Sequence, residues 1–190
     1  MNFVQELINL PKLIIRSAKE FKSTRAICGV AMLTALNVIA GSLLNIQVTP
    51  MLRIGFSSVF AAISAMLYGP LLSGSAGIVA DTLKYLIRPD GPYFPGFALN
   101  EFLTGFIYGC FFYQKKVSIP RAIIARFFIT VIINLTLTSL WLNILYQNPL
   151  FTSLRLVKNV LAFPFDVAIL YFALQAAQQV LRRINRVEGK

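Results

Sequence analysis

Asp81, Lys84, Tyr85 and Arg88 stand at i, i+3, i+4 and i+7, which on a helix is one face. A carboxylate, an ammonium, a phenol and a guanidinium on one face can hold a charged ligand. Arg53, Arg155 and Lys158 add cations close to the ends of apolar segments. These five cations face one acid, Asp81, or two with Asp90. That excess suits an anionic ligand with more than one carboxylate, which Arg grips bidentately and Lys attracts as a point charge. Snorkelling to lipid headgroups is the competing use for any one of them. Asp81 has two readings. Its carboxylate can accept two parallel N–H bonds from a flat heterocycle, or it can pair with Lys84 as a structural partner. Tyr85, Tyr93, Phe94, Phe97 and Trp141 offer flat stacking surfaces, although most aromatic residues in such a chain serve the core or the interface belt.

Other chemistry is excluded by what is missing. The sequence has no His, which removes Ser-His-Asp and Cys-His catalysis and His-ligated metals. Cys28 and Cys110 lie inside apolar runs without metal-ligand spacing and read as small hydrophobes. No GxxxxGK[ST] loop occurs, so this chain has no P-loop for ATP hydrolysis. No catalytic residue, bound cofactor or metal site is expected.

The elements that must position the charged face belong to a membrane protein. The 190 residues are 57% hydrophobic and 13% charged, with a mean hydropathy of +0.70. Soluble domains carry about 25% charged residues. Ala26 to Ile46 is uncharged, and so is Ile54 to Ala80, which Gly69-Pro70 divides. The segment PDGPYFPG from Pro89 to Gly96 is a turn-rich loop. Apolar runs and breakers predict helices over about 26–46, 54–68, 70–88, 96–114, 120–146 and 153–181. Arg53 then opens the second of them at one membrane surface. Phe3, Leu7, Leu10 and Ile14 recur at helical spacing among Lys and Arg. They make residues 1–25 a basic amphipathic helix lying in the interface, or a partly ordered tail.

The net charge of +11 is concentrated beside these runs. Lys12, Arg16, Lys19, Lys22 and Arg25 lie in the first segment, Lys115, Lys116 and Arg121 between the fourth and fifth helices, and Arg182, Arg183, Arg186 and Lys190 at the end. Six spans with both termini cytoplasmic put all three on the inner side. That distribution argues against nucleic acid, which would call for a basic groove. The expected fold is therefore an all-α membrane protein. It has a basic segment over 1–25, a six-helix domain over 26–181 and a basic cytoplasmic tail over 182–190. The charged face of the third helix then occupies its outer half, level with Arg53, Arg155 and Lys158. Arg126 lies near the inner surface and can snorkel. Asp166, in mid-membrane, is expected to pair with an Asn, a hydroxyl or Arg126. Glu101 can pair with a pocket cation. Small residues four apart, such as Ser73/Gly77 and Gly105/Gly109, suit close helix contacts.

These residues resemble a known family. The block from Arg53 to Gly109 is similar to the substrate-binding S components of energy-coupling factor vitamin transporters, in their folate-type branch. The shared features are Arg53 with Phe56, the Tyr68-Gly69-Pro70 turn, Gly77 with Asp81, and the Gly91-Pro92-Tyr93-Phe94-Pro95-Gly96-Phe97 loop. The Leu154-Arg155-Leu156-Val157-Lys158 stretch and Pro164 also fit. The resemblance implies a bacterial plasma-membrane protein that binds folate or a reduced folate from outside. Its partners would be a transmembrane coupling subunit and two ATPase subunits, which would use the ATP. Ala31 and Ala35 would form the surface for the coupling subunit. Arg53, Asp81, Tyr93 and Arg155 stand on family-like positions, whereas Lys84, Glu101 and Asp166 depart from the pattern. The alternative is an S component for another small vitamin or heterocyclic compound. An intramembrane enzyme would need a Ser–His pair or a dense Asp motif, and a channel would need a repeated pore motif. The sequence has none of these.

Overall fold

The computed structural model describes residues 10–43, 46–49, 52–54, 57–89, 91–146 and 153–188. The chain opens with α1 (Leu10–Glu20) and turns at once into α2 (Thr24–Leu43). A two-stranded hairpin follows, β1 (Ile46–Thr49) and β2 (Leu52–Ile54), antiparallel with Gln47 opposite Arg53. Then come α3 (Ser57–Tyr68), α4 (Pro70–Ile87) and α5 (Pro95–Phe112). The next rod is continuous but changes pitch: α6 (Ile119–Phe128), a π-helical segment (Ile129–Leu137) and α7 (Thr138–Tyr146). The last helix, α8, runs from Ser153 to Glu188 and so carries Arg182 and Arg183.

The hairpin corrects one expectation. Arg53 does not open a helix; it lies on β2, and the helix starts at Ser57. At 1.5 Å per residue α3 is only about 18 Å long, well short of the roughly 30 Å hydrocarbon layer. Among the described residues, three helical stretches are long and apolar enough to cross a membrane: Thr24–Ser42, Ile119–Leu145 and Asn159–Arg183. Their outer faces are unmistakably apolar. Met32 is 72% exposed, Val160 70% and Phe172 68%. In water that would be an aggregation hazard; against lipid it costs nothing.

Small residues set the helix spacing. Gly74 and Gly77 on α4 meet Phe102 and the Glu101 backbone on α5, while Gly105 and Gly109 on α5 meet Ser73 and Pro70 on α4. A methyl group at Gly77 would stand 2.5 Å from the Glu101 carbonyl oxygen, and one at Gly109 would stand 2.3 Å from the Pro70 Cα. These two helices therefore touch backbone to backbone. A second core joins α3, α5, α6, the π segment and α8 through Ala62, Ala65, Tyr108, Phe112, Ala125, Ile129, Leu170 and Leu174.

That core contains one charged pair. Arg126 on α6 donates to Asp166 on α8 and to the Tyr108 hydroxyl on α5, the latter at 3.2 Å. Arg126 is thus held inward rather than snorkelling. Its Nε has no hydrogen-bond partner. Asp166→Ala should destabilise the folded protein by about 3 kcal/mol, because it strands a buried guanidinium. Thermal unfolding in detergent reads the effect, and Asp166→Ala combined with Arg126→Leu should recover most of it.

α1 docks on the corner formed by the Tyr68-Gly69-Pro70 turn and the end of α5. Gly69 has φ +86°, a conformation that favours glycine. Ser17, fully buried, fits over it, accepting from the Leu71 N–H (3.2 Å) and donating to the Tyr68 carbonyl (3.4 Å). The Tyr113 hydroxyl donates to Glu20 (3.1 Å) and Arg16 donates to Gln114 (3.2 Å). One polar side chain thereby satisfies a donor at the start of α4.

Candidate ligand-binding site

The predicted face of α4 forms, and most of it is tied to α5 and the loop between them. Gly91, at φ +95°, lets the loop reverse. Its carbonyl accepts from the Tyr85 hydroxyl at 3.0 Å. The Tyr85 and Tyr93 rings stand 5.1 Å apart at 60°, and the Tyr93 hydroxyl lies 3.4 Å from Thr82 Oγ1. Tyr93 remains 44% exposed, so one face of this pair is open. Arg88 caps α4 through its N–H to the Lys84 carbonyl (2.9 Å), with an exposed side chain.

Lys84 makes its ion pair with Glu101, at 3.3 Å, across the α4–α5 contact. One reading of Asp81 makes Lys84 its structural partner; in the structure Lys84 makes its ion pair with Glu101 instead. The reason is the backbone approach at Gly77, which brings the Glu101 end of α5 alongside α4. Gly41 on α2 supplies the other wall: a Cβ there would meet the Lys84 Cε at 2.8 Å. Asp81 is half-buried one turn away, close enough for both Lys84 and Glu101 to act on its charge.

A second cluster involves Phe94. Its ring lies 5.4 Å from Trp141 and 6.2 Å from Phe97. Gly96 makes room, since a Cβ there would be 2.4 Å from Phe94 and 2.7 Å from Trp141. The Trp141 indole donates to the Asn100 Oδ1 (3.1 Å), and the Asn100 amide donates to Thr138 Oγ1 (3.1 Å). Asn100 is buried and organises both partners. Sequence reasoning passed over it; a lone amide beside Glu101 in an apolar helix was the available signal. Thr138 and Trp141 follow the π segment, whose wider turn changes which way later side chains face; π segments often mark functional sites. Asn100→Leu should unpair both partners, shift the emission of Trp141, and lower thermal stability by about 1–3 kcal/mol. Trp141 is the only tryptophan, so fluorescence reports on this contact alone.

A small cavity that reaches Glu101 is lined in part by Thr34, Asn37, Ser64 and Ser73, with room for about one water molecule. Asn37 Oδ1 and Ser64 Oγ are buried there without hydrogen-bond partners in the protein.

The remaining predicted cations are less fully placed. Arg53 is on β2, and β2 packs against α8, the helix that carries Arg155 and Lys158. The side chains of these three residues lie outside the described residues, as do Phe56 and Asp90. Ala31 and Ala35 are exposed on one side of α2.

Comparison with known proteins decides the family. Residues 21–169 match the family model described as "ECF-type riboflavin transporter, S component". The chain belongs to the ECF-type transporter S components. It is therefore a membrane transport subunit and not an enzyme. Among curated relatives, the folate transporter FolT of Clostridium novyi is 40% identical over 169 residues, covering 87% of this chain and 96% of the relative. FolT of Leuconostoc mesenteroides is 31% identical over 159 residues, covering 80% and 85%. A solved structure of FolT bound with folic acid superposes with a TM-score of 0.73 at 36% identity, covering 80% of this S component and 94% of that chain.

Proposed function

We propose that this S component binds folate or a reduced folate from outside and passes it inward through an ECF complex. The observation that carries the reading is the 40% identity to a FolT that the chain matches over 96% of its length, joined to the superposition on a folic-acid complex. The chemistry agrees. Folate pairs a flat pterin, with an amide-like donor edge, with a glutamyl tail bearing two carboxylates. Asp81 would accept from the pterin edge, with Tyr85, Tyr93 and Phe94 as stacking surfaces. Arg53, Lys84, Arg88, Arg155 and Lys158 would meet the tail.

The proposal includes six crossings with both termini cytoplasmic in the bacterial plasma membrane, the arrangement that the basic segments favour. α3 and the hairpin together would make the second crossing. A coupling subunit would dock on Ala31 and Ala35 of α2, and two ATPase subunits would supply the energy. The test is uptake of labelled folic acid by cells lacking their own folate import. This chain alone should give surface binding only, and co-expression with a coupling subunit and ATPases should give accumulation. Accumulation by the chain alone would overturn the partner requirement.

A second reading is riboflavin, favoured by the description of the matching family model. Riboflavin has a flat ring but no carboxylate, so it would form no ion pair with the cations of the site.

A further inference from the structure

We propose that the outer face of α1 is a binding site for anionic lipid headgroups. Four contacts fix the rotation of this helix: Ser17 to both Leu71 and Tyr68, Tyr113 to Glu20, and Arg16 to Gln114. With Ser17 turned inward, the opposite side presents Ile15, Ala18 and Lys19, and Lys22 follows in the turn after the helix, all exposed. Ile15, one turn before Lys19, is 63% exposed. Arg25 and Phe21, also exposed, extend the same chemistry around the corner into α2.

The composition of the face selects the partner. Glu20, the one acid among the described residues of this helix, accepts from Tyr113, so the charges described on the outer face are basic. A basic face with an apolar tip suits the headgroup layer, where lysine stems lie along acyl chains and the ammonium groups meet phosphate. The location suits it too. α1 leads within three residues into α2, whose exposed Ile27 and Met32 belong to the apolar surface of a membrane-length helix. The corner therefore sits where the hydrocarbon layer begins. An anionic inner leaflet adds attraction for each cation near its surface, screened by salt. This inference rests on the cytoplasmic placement of the amino terminus, and it is separate from folate recognition.

The test places an environment-sensitive fluorophore on α1 of the full chain. Cys28→Ser and Cys110→Ala clear the background, and Ala18→Cys carries the dye. The protein is reconstituted in nanodiscs of phosphatidylcholine alone or with phosphatidylglycerol, and folic acid binding is measured in the same discs. A blue shift that needs phosphatidylglycerol, disappears in Lys19→Gln/Lys22→Gln/Arg25→Gln and reverses in about 1 M salt, where the Debye length is ~3 Å, is the expected result. A water-like signal in both discs, with folic acid still bound, would overturn the lipid site and leave the face to an acidic protein partner. An equal blue shift in both would also overturn it, showing apolar insertion without headgroup recognition. Loss of folic acid binding in every disc would count against the folate reading, not against this one.

Discussion

Replacing Arg155 or Arg53 by alanine is expected to weaken folate binding at least tenfold, about 1.4 kcal/mol. The two residues come from distant parts of the sequence, but the fold brings their elements together: β2, which carries Arg53, packs against α8, which carries Arg155. A carboxylate leaving water must recover its solvation from charged donors. Each charge-assisted hydrogen bond contributes about 1.5–3 kcal/mol, so the loss of one guanidinium should exceed the tenfold threshold. Arg155→Lys should retain only part of the affinity, because an ammonium lacks the planar fork. Titration of the purified variants checks this. Wild-type affinity in both alanine variants would remove these two cations from the pocket.

Ala31→Trp combined with Ala35→Trp is expected to abolish uptake while leaving ligand affinity within about twofold, or 0.4 kcal/mol, of wild type. Both alanines are exposed on α2, one helical turn apart, and present a shallow strip on which another helix can come close. Two indoles there would hold a partner helix several ångströms off. They should leave the protein's own core intact, because neither alanine is buried in it. Binding to the isolated protein and uptake in cells with the full complex separate the two effects. Unimpaired uptake would show that the coupling subunit docks elsewhere.

Much of this architecture could be read from residue order, and the failures are physical. The α4 face was legible because Asp81, Lys84, Tyr85 and Arg88 keep the helical period, and α4 is a regular helix over that stretch. Gly69-Pro70 was legible as a break because glycine there takes a positive φ and proline starts the next helix. The hairpin was missed because residues 47–53, polar in part and holding Pro50, read as a loop between two apolar runs. Arg53 was therefore assigned to a helix end when it belongs to a strand. The π segment over Ile129–Leu137 left no mark in the apolar pattern, which reads the same for either pitch. Ion-pair partners were legible in part: Glu101 was expected to meet a pocket cation and Asp166 had Arg126 among its expected partners, but which cation Glu101 takes was not. Lys84 has an acid three residues before it, yet pairs with Glu101 on the next helix. Only the backbone contact at Gly77 brings that carboxylate within reach. Arg126 turns inward because Asp166 and Tyr108 converge on it from two other helices. Ser17 was silent in the sequence and Asn100 gave only the faint signal of a lone amide, since a single polar residue shows its value only when its partners are known.

The most direct test of the central claim is calorimetric titration of the purified chain, without any partner, with folic acid, 5-formyl-tetrahydrofolate and riboflavin in parallel. The account predicts tight, saturable binding of at least one folate and none of riboflavin. Saturable riboflavin binding with no response to either folate would contradict it and assign the pocket to the uncharged vitamin.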